Sequence, residues 1–207
     1  SKITLNRLGG SVAGEDYYPL GHIEFSSAIN KIKAAKPDVI VNCVVAGSNV
    51  PFFKQLKAAG IIDAGTTVLS LPPSQEEVSG IGSENTAGTL TCLGYFQSLQ
   101  NPENEKFVSA FKNKYGADRV VGDTLECAYN SVYLWSMAAE KAQSFDVQEV
   151  IAASSGLEID APEGKVRFHK DNHHLWKYCR IGEFLPDGQA NMLYQSDLIE
   201  PDPFPKL

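Results

Sequence analysis

Residues 36–60 read KPDVIVNCVVAGSNVPFFKQLKAAG, and this stretch decides the fold class. Its apolar run extends from Val39 to Ala46 and is broken only by Asn42. A continuous apolar run without alternation predicts a parallel strand that is covered on both faces. An amphipathic segment follows and stops at Gly60, where a helix would end. The stretch therefore predicts a strand–loop–helix unit of an α/β domain.

The loop of this unit, Gly47-Ser48-Asn49, is the first candidate functional site. It follows the carboxyl end of the predicted strand, which is where open α/β sheets bind their ligands. Its backbone amides would lie at the start of a helix and could donate hydrogen bonds, and the Ser48 hydroxyl could donate and accept. The alternative is that Ser48 or Asn49 only caps the helix, which contributes about 1 kcal/mol.

The N-terminal third alternates between helical and strand patterns. The predicted order is helix, strand, helix, strand, helix, strand, with a strand at 11–19, a helix at 24–35 and a strand at 66–71. This alternation is typical of a doubly wound parallel sheet. Pro72-Pro73 ends the pattern, and the polar residues 74–88 are predicted to hold at most one helical turn.

The rest of the chain is predicted to be mostly helical, after a strand at 89–96 that leaves the first sheet. Alternation from residue 164 predicts a hairpin around HKDNHH, and Asp187-Gly188 marks another turn before an extended tail. Between these features, helices are predicted at 102–115, 123–142 and 146–153. Because 97–163 supplies hardly any strand, we expect its helices to expose apolar faces.

Composition excludes some classes of partner. The 207 residues carry a net charge of −7 and have a pI near 5.1, so neither nucleic acid nor an anionic membrane would attract the chain. No apolar run is long enough to span a bilayer. The opening SKITLNRLGG does not resemble a signal peptide and suggests the end of a helix inside a longer protein, although a natural short chain is the alternative.

Cysteine and histidine residues give little support for a metal site. The four cysteines, Cys43, Cys92, Cys127 and Cys179, form no CxxC pair, and we interpret Cys43 and Cys127 as core thiols. The cluster His169, His173 and His174 lacks an HExxH pattern, so we interpret it as a solvated turn. Neither a phosphate-binding GxxxxGK[ST] loop nor a GxSxG nucleophile elbow occurs.

Several blocks, in order, resemble one family. They are GEDYYPLGHIEFSSAINKIKAAKPDVIVNCVV, GSNVPFFKQLKAAGI, VLSLPPSQEEV, YFQSLQNPENEKFVSAFKNKYG, DAPEGKVRFHKDNHHL and EPDPFPK. Together they resemble the urea and short-chain amide branch of type I solute-binding proteins. The resemblance implies two doubly wound α/β lobes joined by three crossing segments, with the ligand held between the lobes. It implies a nearly complete second lobe at 1–93. The returning half of the first lobe would follow at 94–165, with the sheet of that lobe largely missing. Residues 166–207 would form a crossover hairpin and the C-terminal tail.

The resemblance also implies a binding role without catalysis or cofactor. The partners would be a small neutral ligand and the membrane subunits of an ABC transporter, and a homo-oligomer is possible. The chain would be periplasmic or extracellular, lipid-anchored or soluble. The alternatives are a cytoplasmic amide sensor that regulates amidase expression and, from a different class, a metal-dependent hydrolase that uses the histidine cluster.

The implied ligand contacts lie in two loops and at one strand end. A neutral amide needs hydrogen-bond donors for its oxygen and acceptors for its NH2 groups when it is buried. The predicted contacts are Val45, Ala46, Gly47, Ser48, Leu71, Pro72 and Tyr95. The loops Val44-Val45-Ala46-Gly47-Ser48 and Leu71-Pro72-Pro73-Ser74 depart from the family pattern, which bears on ligand choice.

Three acidic residues are further candidates for ligand contact. Glu76 and Glu77 could accept hydrogen bonds from an amide, but Ser74 and Glu77 have the spacing of a capping box, which we favour. Glu126 lies near the start of a predicted helix. We interpret it as a solvated or helix-N-terminal charge rather than a ligand contact.

Overall fold

A computed structural model describes residues 2–205 of the chain. Within this range the chain forms eight α-helices and eight strands, with a short 3-10 turn at Ala46–Ser48. The helices are α1 Lys2–Arg7, α2 Ser26–Ala35, α3 Asn49–Ala58, α4 Gln75–Ile81, α5 Ser83–Thr86, α6 Pro102–Tyr115, α7 Asp123–Ala142 and α8 Val147–Ser154. The strands are β1 Val39–Asn42, β2 Thr67–Ser70, β3 Leu90–Leu93, β4 Glu158–Ala161, β5 Gly164–Phe168, β6 Leu175–Trp176, β7 Arg180–Phe184 and β8 Ala190–Gln195.

The larger sheet has five strands in the order β1-β2-β3-β7-β8. The first three strands are parallel, and β1 pairs with β2 in the register Ile40↔Val68. β7 and β8 add to the sheet in antiparallel orientation. Helices α2 and α3 pack on this part of the sheet through an apolar core that includes Phe25, Phe53 and Leu56. The predicted α/β class with a parallel sheet is confirmed.

One face of β1 is open, in contrast to the prediction that both faces are covered. Val39 is 48% exposed and Val41 is 63% exposed, while Asn42 at the strand end is buried. Side chains alternate between the faces of a strand, so the two valines share the uncovered face. The apolar run correctly predicted a parallel strand. It did not show that the described residues cover only one face of that strand.

The second part of the chain combines three helices with a small sheet of order β4-β5-β6. Helices α6 and α7 match the predicted bounds, and α8 begins one residue later than predicted. Asn101 caps α6 by accepting from Asn104 N, and Pro102 occupies the first turn. The outer face of α7 exposes Val132, Tyr133 and Trp135, which confirms the expected apolar helix face.

Several local predictions were wrong. Residues 11–19 form no strand, and 74–88 contains two helices, α4 and α5, rather than one turn at most. The strand predicted at 89–96 does not leave the first sheet: β3 pairs with both β2 and β7. β4 was not predicted; it forms a hairpin with β5. A hairpin around HKDNHH is confirmed, since Phe168 pairs with Leu175. Its second strand is the short β6, however, and the alternating residues Ile181 and Phe184 that follow belong to β7 of the larger sheet.

Long apolar helices do not occur in the part of the chain that the structure covers. Between residues 2 and 205, none of the helices has the length and hydropathy needed to cross a membrane.

Candidate functional site

The loop after β1 is held by one buried side chain, Asn42. Its Nδ2 donates to Asn49 Oδ1 at 3.2 Å and to Ser70 Oγ at 3.1 Å. Its Oδ1 accepts from the backbone N of Val44 at 2.9 Å. Asn42 therefore ties the end of β1 to the start of α3 and to the end of the neighbouring strand β2. It is the single polar residue in the apolar run, and this position explains why the run is interrupted there.

The start of helix α3 has no side-chain cap. The 3-10 turn Ala46–Ser48 runs directly into α3, and neither Val45 nor Ser48 makes a side-chain cap. The first amides of a helix have no partner within the helix, so those of this turn are available donors. Ala46 has a φ of 55°, in the left-handed region. The alternative interpretation, that Ser48 caps the helix, is wrong.

Two buried polar groups at this helix start have no hydrogen-bond partner among the described residues: Ser48 Oγ and Asn49 Nδ2. Both residues are at most 3% exposed. Buried polar groups are normally paired, because an unpaired one costs about 1–3 kcal/mol. These two groups are therefore candidates for contact with a bound molecule or an ordered water.

Leu71 and Pro72 lie beside this loop, as the sequence predicted. Leu71 N donates to Asn42 O at 3.1 Å, so the chain leaving β2 runs next to the end of β1. The Leu71 side chain is half exposed, and Pro73 O accepts from the buried Thr91 Oγ1 at 2.9 Å. The structure thus brings the Val45–Ser48 loop and the Leu71-Pro72 segment together at the carboxyl edge of the parallel strands.

A depression of about 580 Å³ opens beside the helix start. Its near wall includes Ala46, Gly47 and Asn49. Four charged residues also line it: Glu76, Glu77, Asp118 and Arg119. Three of these side chains are carboxylates and one is a cation, so the charged side chains that line the depression oppose an anionic ligand.

The predicted capping box of α4 is confirmed. Ser74 N donates to Glu77 Oε2 at 2.9 Å, and the Ser74 side chain accepts from the N3 backbone. Glu76 is not part of the box and stays half-buried at the depression. A Cβ added to Gly122 would meet Ser74 Oγ at 2.5 Å, so the start of α7 packs closely against the start of α4.

Tyr95 does not belong to this site, contrary to the prediction. It is 1% exposed and packs in a second core with Phe96 and Phe107. Its hydroxyl donates to Asn104 Oδ1 at 2.6 Å, and its backbone N donates to Asp123 Oδ1 at 2.7 Å. Both polar groups are therefore satisfied inside the protein.

A buried charged cluster joins the two sheets, and sequence reasoning missed it. Glu126 on α7 accepts at Oε1 from Asn130 Nδ2 (2.7 Å) and from Glu163 N (3.0 Å). Glu163 Oε1 lies 3.0 Å from Lys177 Nζ. Arg180 Nη2 donates to Glu163 O at 2.7 Å, and its Nη1 donates to Gly94 O. Glu126 is fully buried, so its interpretation as a solvated charge was wrong.

The electrostatics of this cluster follow from burial. Burial, and then repulsion by Glu163, raise the pKa of Glu126 to about 7. Burial alone would lower the pKa of Lys177, but the attraction of Glu163 and of Cys127 outweighs it and raises that pKa. Three oxygens of the cluster have no partner among residues 2–205: Glu126 Oε2, Asn130 Oδ1 and Glu163 Oε2.

One sequence signal could have located this cluster. Glu126, Asn130, Leu134 and Ala138 follow one another at four-residue steps and are all buried on α7. Residues spaced by four lie on the same helix face. A glutamate and an asparagine in line with apolar residues therefore indicate a polar network inside the protein.

The histidine and cysteine residues that the sequence analysis singled out lie apart from the depression. No group of three or more His, Cys, Asp or Glu side chains within the described range could hold a metal ion. His169 Nε2 instead lies 3.1 Å from Glu200 Oε1, while His173 and His174 are exposed. Cys43 is exposed rather than a core thiol, because β1 ends one residue before it.

The comparisons with known proteins agree with this architecture. The sequence profile of the periplasmic binding protein domain matches residues 1–207. The chain is 24% identical over 186 residues to Leu/Ile/Val-binding protein homolog 6 of Brucella melitensis, an alignment of 88% of this chain and 47% of that protein. A solute-binding protein of an ABC transporter from Rhodopseudomonas palustris HaA2, solved with p-hydroxybenzoic acid, superposes with a TM-score of 0.86 at 25% identity, covering 95% of this chain and 55% of that one.

A further match concerns a protein with an enzyme's name. The chain is 32% identical over 117 residues to a limonene hydroxylase of Geobacillus stearothermophilus. The alignment covers 56% of this chain and 21% of that protein. The chain spans about half the length of the binding-protein relatives described above.

Proposed function

Because the chain belongs to the periplasmic binding protein domain family, we propose that it forms part of the substrate-binding component of an ABC transporter. It would capture a small ligand next to the Val45–Ser48 loop and the Leu71-Pro72 segment, without transforming it. The observation that carries this proposal is the uncapped helix start beside a depression at the carboxyl edge of parallel strands. That edge is where open α/β sheets take their ligands.

We propose a urea or short-chain amide as the ligand. The open amides of Ala46–Ser48 and the unpaired Nδ2 of Asn49 supply donors for a carbonyl oxygen. Glu76 and Asp118 at the rim of the depression supply acceptors for NH2 groups. The excess of carboxylates favours a neutral ligand over an anion. The blocks that resemble the urea and short-chain amide branch of the family support the same choice.

This ligand class differs from the names of the compared proteins. One of them is called a Leu/Ile/Val-binding protein homolog and another was solved with p-hydroxybenzoic acid, and both of those ligand types carry a carboxylate. A helix start also attracts carboxylates. A carboxylate ligand would be attracted by the helix start and repelled by the surrounding acidic residues. The stronger of these two electrostatic effects therefore decides the ligand class.

The partners and the compartment follow from the same proposal. The closed, ligand-bound form would be presented to the membrane subunits of the transporter, in the periplasm or outside the cell. The alternative of a cytoplasmic amide sensor predicts the same ligand but a different location. Fractionation of cells that produce the protein distinguishes the two: recovery in the periplasmic or membrane-anchored fraction supports transport, and recovery in the cytoplasm overturns it.

Isothermal titration calorimetry of the protein with acetamide, millimolar urea, leucine and 4-hydroxybenzoate tests the ligand class. Heat with acetamide or urea alone supports the proposal, and heat with leucine or 4-hydroxybenzoate alone overturns the amide assignment. The variant Gly47→Ala locates the site, because a Cβ at Gly47 points into open space and would occupy the depression. Gly14→Ala, which also adds a methyl group to open space, is the matched control.

A further inference from the structure

Two cysteine thiols meet between β3 and β7. The strands are antiparallel, and Cys92 stands opposite Ile181. Because side chains alternate along a strand, Cys179 projects on the same side as Ile181 and becomes the diagonal neighbour of Cys92. The two Sγ atoms lie 3.4 Å apart, although the residues are 87 positions apart in the chain. Both thiols are half-buried and free.

We propose that Cys92 and Cys179 form a reversible disulfide bond, a modification site distinct from the ligand loop. The oxidant would be a small or protein disulfide such as glutathione disulfide. One thiolate attacks that disulfide and releases one thiol; the second thiolate then attacks the mixed disulfide and releases the other. Two cysteine thiols lose two protons and two electrons, one S–S bond forms in the protein, and one S–S bond of the oxidant becomes two thiols.

The surroundings of the pair slow the attack of Cys92 on an oxidant. Burial, and then the hydrogen bond with Cys179, raise the pKa of Cys92 to about 11. Little Cys92 thiolate is present at neutral pH, and the thiolate is the reacting form. Where Cys92 is the attacking group, the rate of bond formation should therefore rise with pH.

The position of the pair gives the bond a structural consequence. β3 leads through Gly94 to the helices of the second part of the chain, and the segment before β7 returns from the β4-β5-β6 sheet. A bond between Cys92 and Cys179 would tie together these two connections where they enter the larger sheet. A cross-link that closes so long a loop restricts the unfolded chain, so the oxidised protein should unfold at a higher temperature.

The other two cysteines, Cys43 and Cys127, have different surroundings from the Cys92–Cys179 pair. Cys43 is exposed near the ligand loop, and Cys127 Sγ accepts from Lys177 Nζ at 3.1 Å. Neither has a thiol neighbour among the hydrogen-bonded pairs of the described residues. Oxidation at Cys43 would link separate molecules, whereas oxidation at Cys92 and Cys179 would keep the protein monomeric. The two reactions can therefore be separated on a non-reducing gel.

The test incubates the Cys43→Ser variant with glutathione disulfide and maps its peptides by mass spectrometry without reduction. We expect one cross-linked peptide pair containing Cys92 and Cys179, lighter than the sum of the two peptides by two hydrogen atoms, and an increase in Tm that dithiothreitol reverses. Cys43→Ser/Cys179→Ser should give neither the pair nor the increase. Stable thiols at both positions under conditions that glutathionylate or cross-link Cys127 would overturn the proposal, as would a bond between Cys127 and either cysteine.

Discussion

Replacing Glu126 by glutamine should stabilise the protein at alkaline pH and leave its stability unchanged in acid. Glu126 is fully buried between Asn130 and Glu163, and burial raises the pKa of its carboxyl from 4.5 to about 7. A folded-state pKa above the unfolded one means that ionisation opposes folding. The stabilising contribution of the protonated form is complete below the unfolded pKa and is lost as the pH rises through about 7.

The magnitude follows from the difference between the two pKa values. Each tenfold change in proton affinity is worth about 1.4 kcal/mol, so ionised Glu126 costs the folded state roughly 3 kcal/mol above about pH 7. Glutamine carries no charge, and its oxygen can still accept from Asn130 Nδ2 and from Glu163 N. Its NH2 group could also donate to Glu163 Oε2, which has no partner among the described residues.

Guanidinium denaturation at about pH 8 and about pH 5 measures the effect. We expect Glu126→Gln to raise the free energy of unfolding by roughly 2–3 kcal/mol at the higher pH and by less than about 1 kcal/mol at the lower pH. Glu105→Gln on the exposed face of α6 is the control, with a change below about 0.5 kcal/mol at both pH values. Equal changes of Glu126→Gln at the two pH values, or a loss at the higher pH, would refute the reasoning.

Three further substitutions are each read by guanidinium denaturation at neutral pH. Lys177→Met should cost roughly 2–4 kcal/mol, because it leaves buried Glu163 without its cation at 3.0 Å. Lys165→Met removes an exposed ion pair that solvent screens, so it should cost much less, and equal losses would contradict this. Asn42→Ala should cost roughly 2–3 kcal/mol, since it removes three hydrogen bonds, and no loss would show that they do not hold the loop. Ser48→Ala should cost less than about 0.5 kcal/mol, since its Oγ has no partner among the described residues; a larger loss would indicate an ordered water there.

The helices of the second part were the most predictable elements, because local signals set their ends. Asn101 and Pro102 begin α6, and Gly116, with a φ of 121°, ends it. The apolar faces of α6 and α7 made it possible to predict how far each helix extends. The same logic failed for 74–88, where four-residue and seven-residue helices are too short to show a clear period.

Strand partners could not be predicted from local sequence. β3 lies between a parallel and an antiparallel neighbour because β7, about 90 residues later, returns to the same sheet. A contact between distant segments, rather than propensity, decides the place of β3 in the sheet. β4 was missed for a different reason: its sequence, EIDA, contains two acidic residues and only one strongly apolar one, so it lacks the apolar pattern by which β1 was predicted.

The candidate loop after β1 could be located from topology, but its hydrogen-bond geometry could not be predicted without coordinates. A glycine-containing loop after an apolar strand predicts a position at the sheet edge, and the structure brings Leu71 to the same place. The lack of a cap at Ser48 depends on a 3-10 turn that the sequence does not reveal. Tyr95 was assigned to the site because the chain was expected to pass between the lobes there, but its contacts with Asn104 and Asp123 hold it inside the protein.

The most direct test of the account is an amide-resolved NMR titration of the protein with acetamide. If the helix start binds the carbonyl oxygen, the backbone amide signals of Ala46, Gly47 and Ser48 should shift first and saturate together, with Leu71 close behind. Large shifts elsewhere in the chain while these amides stay unchanged at saturating acetamide would contradict the proposed site.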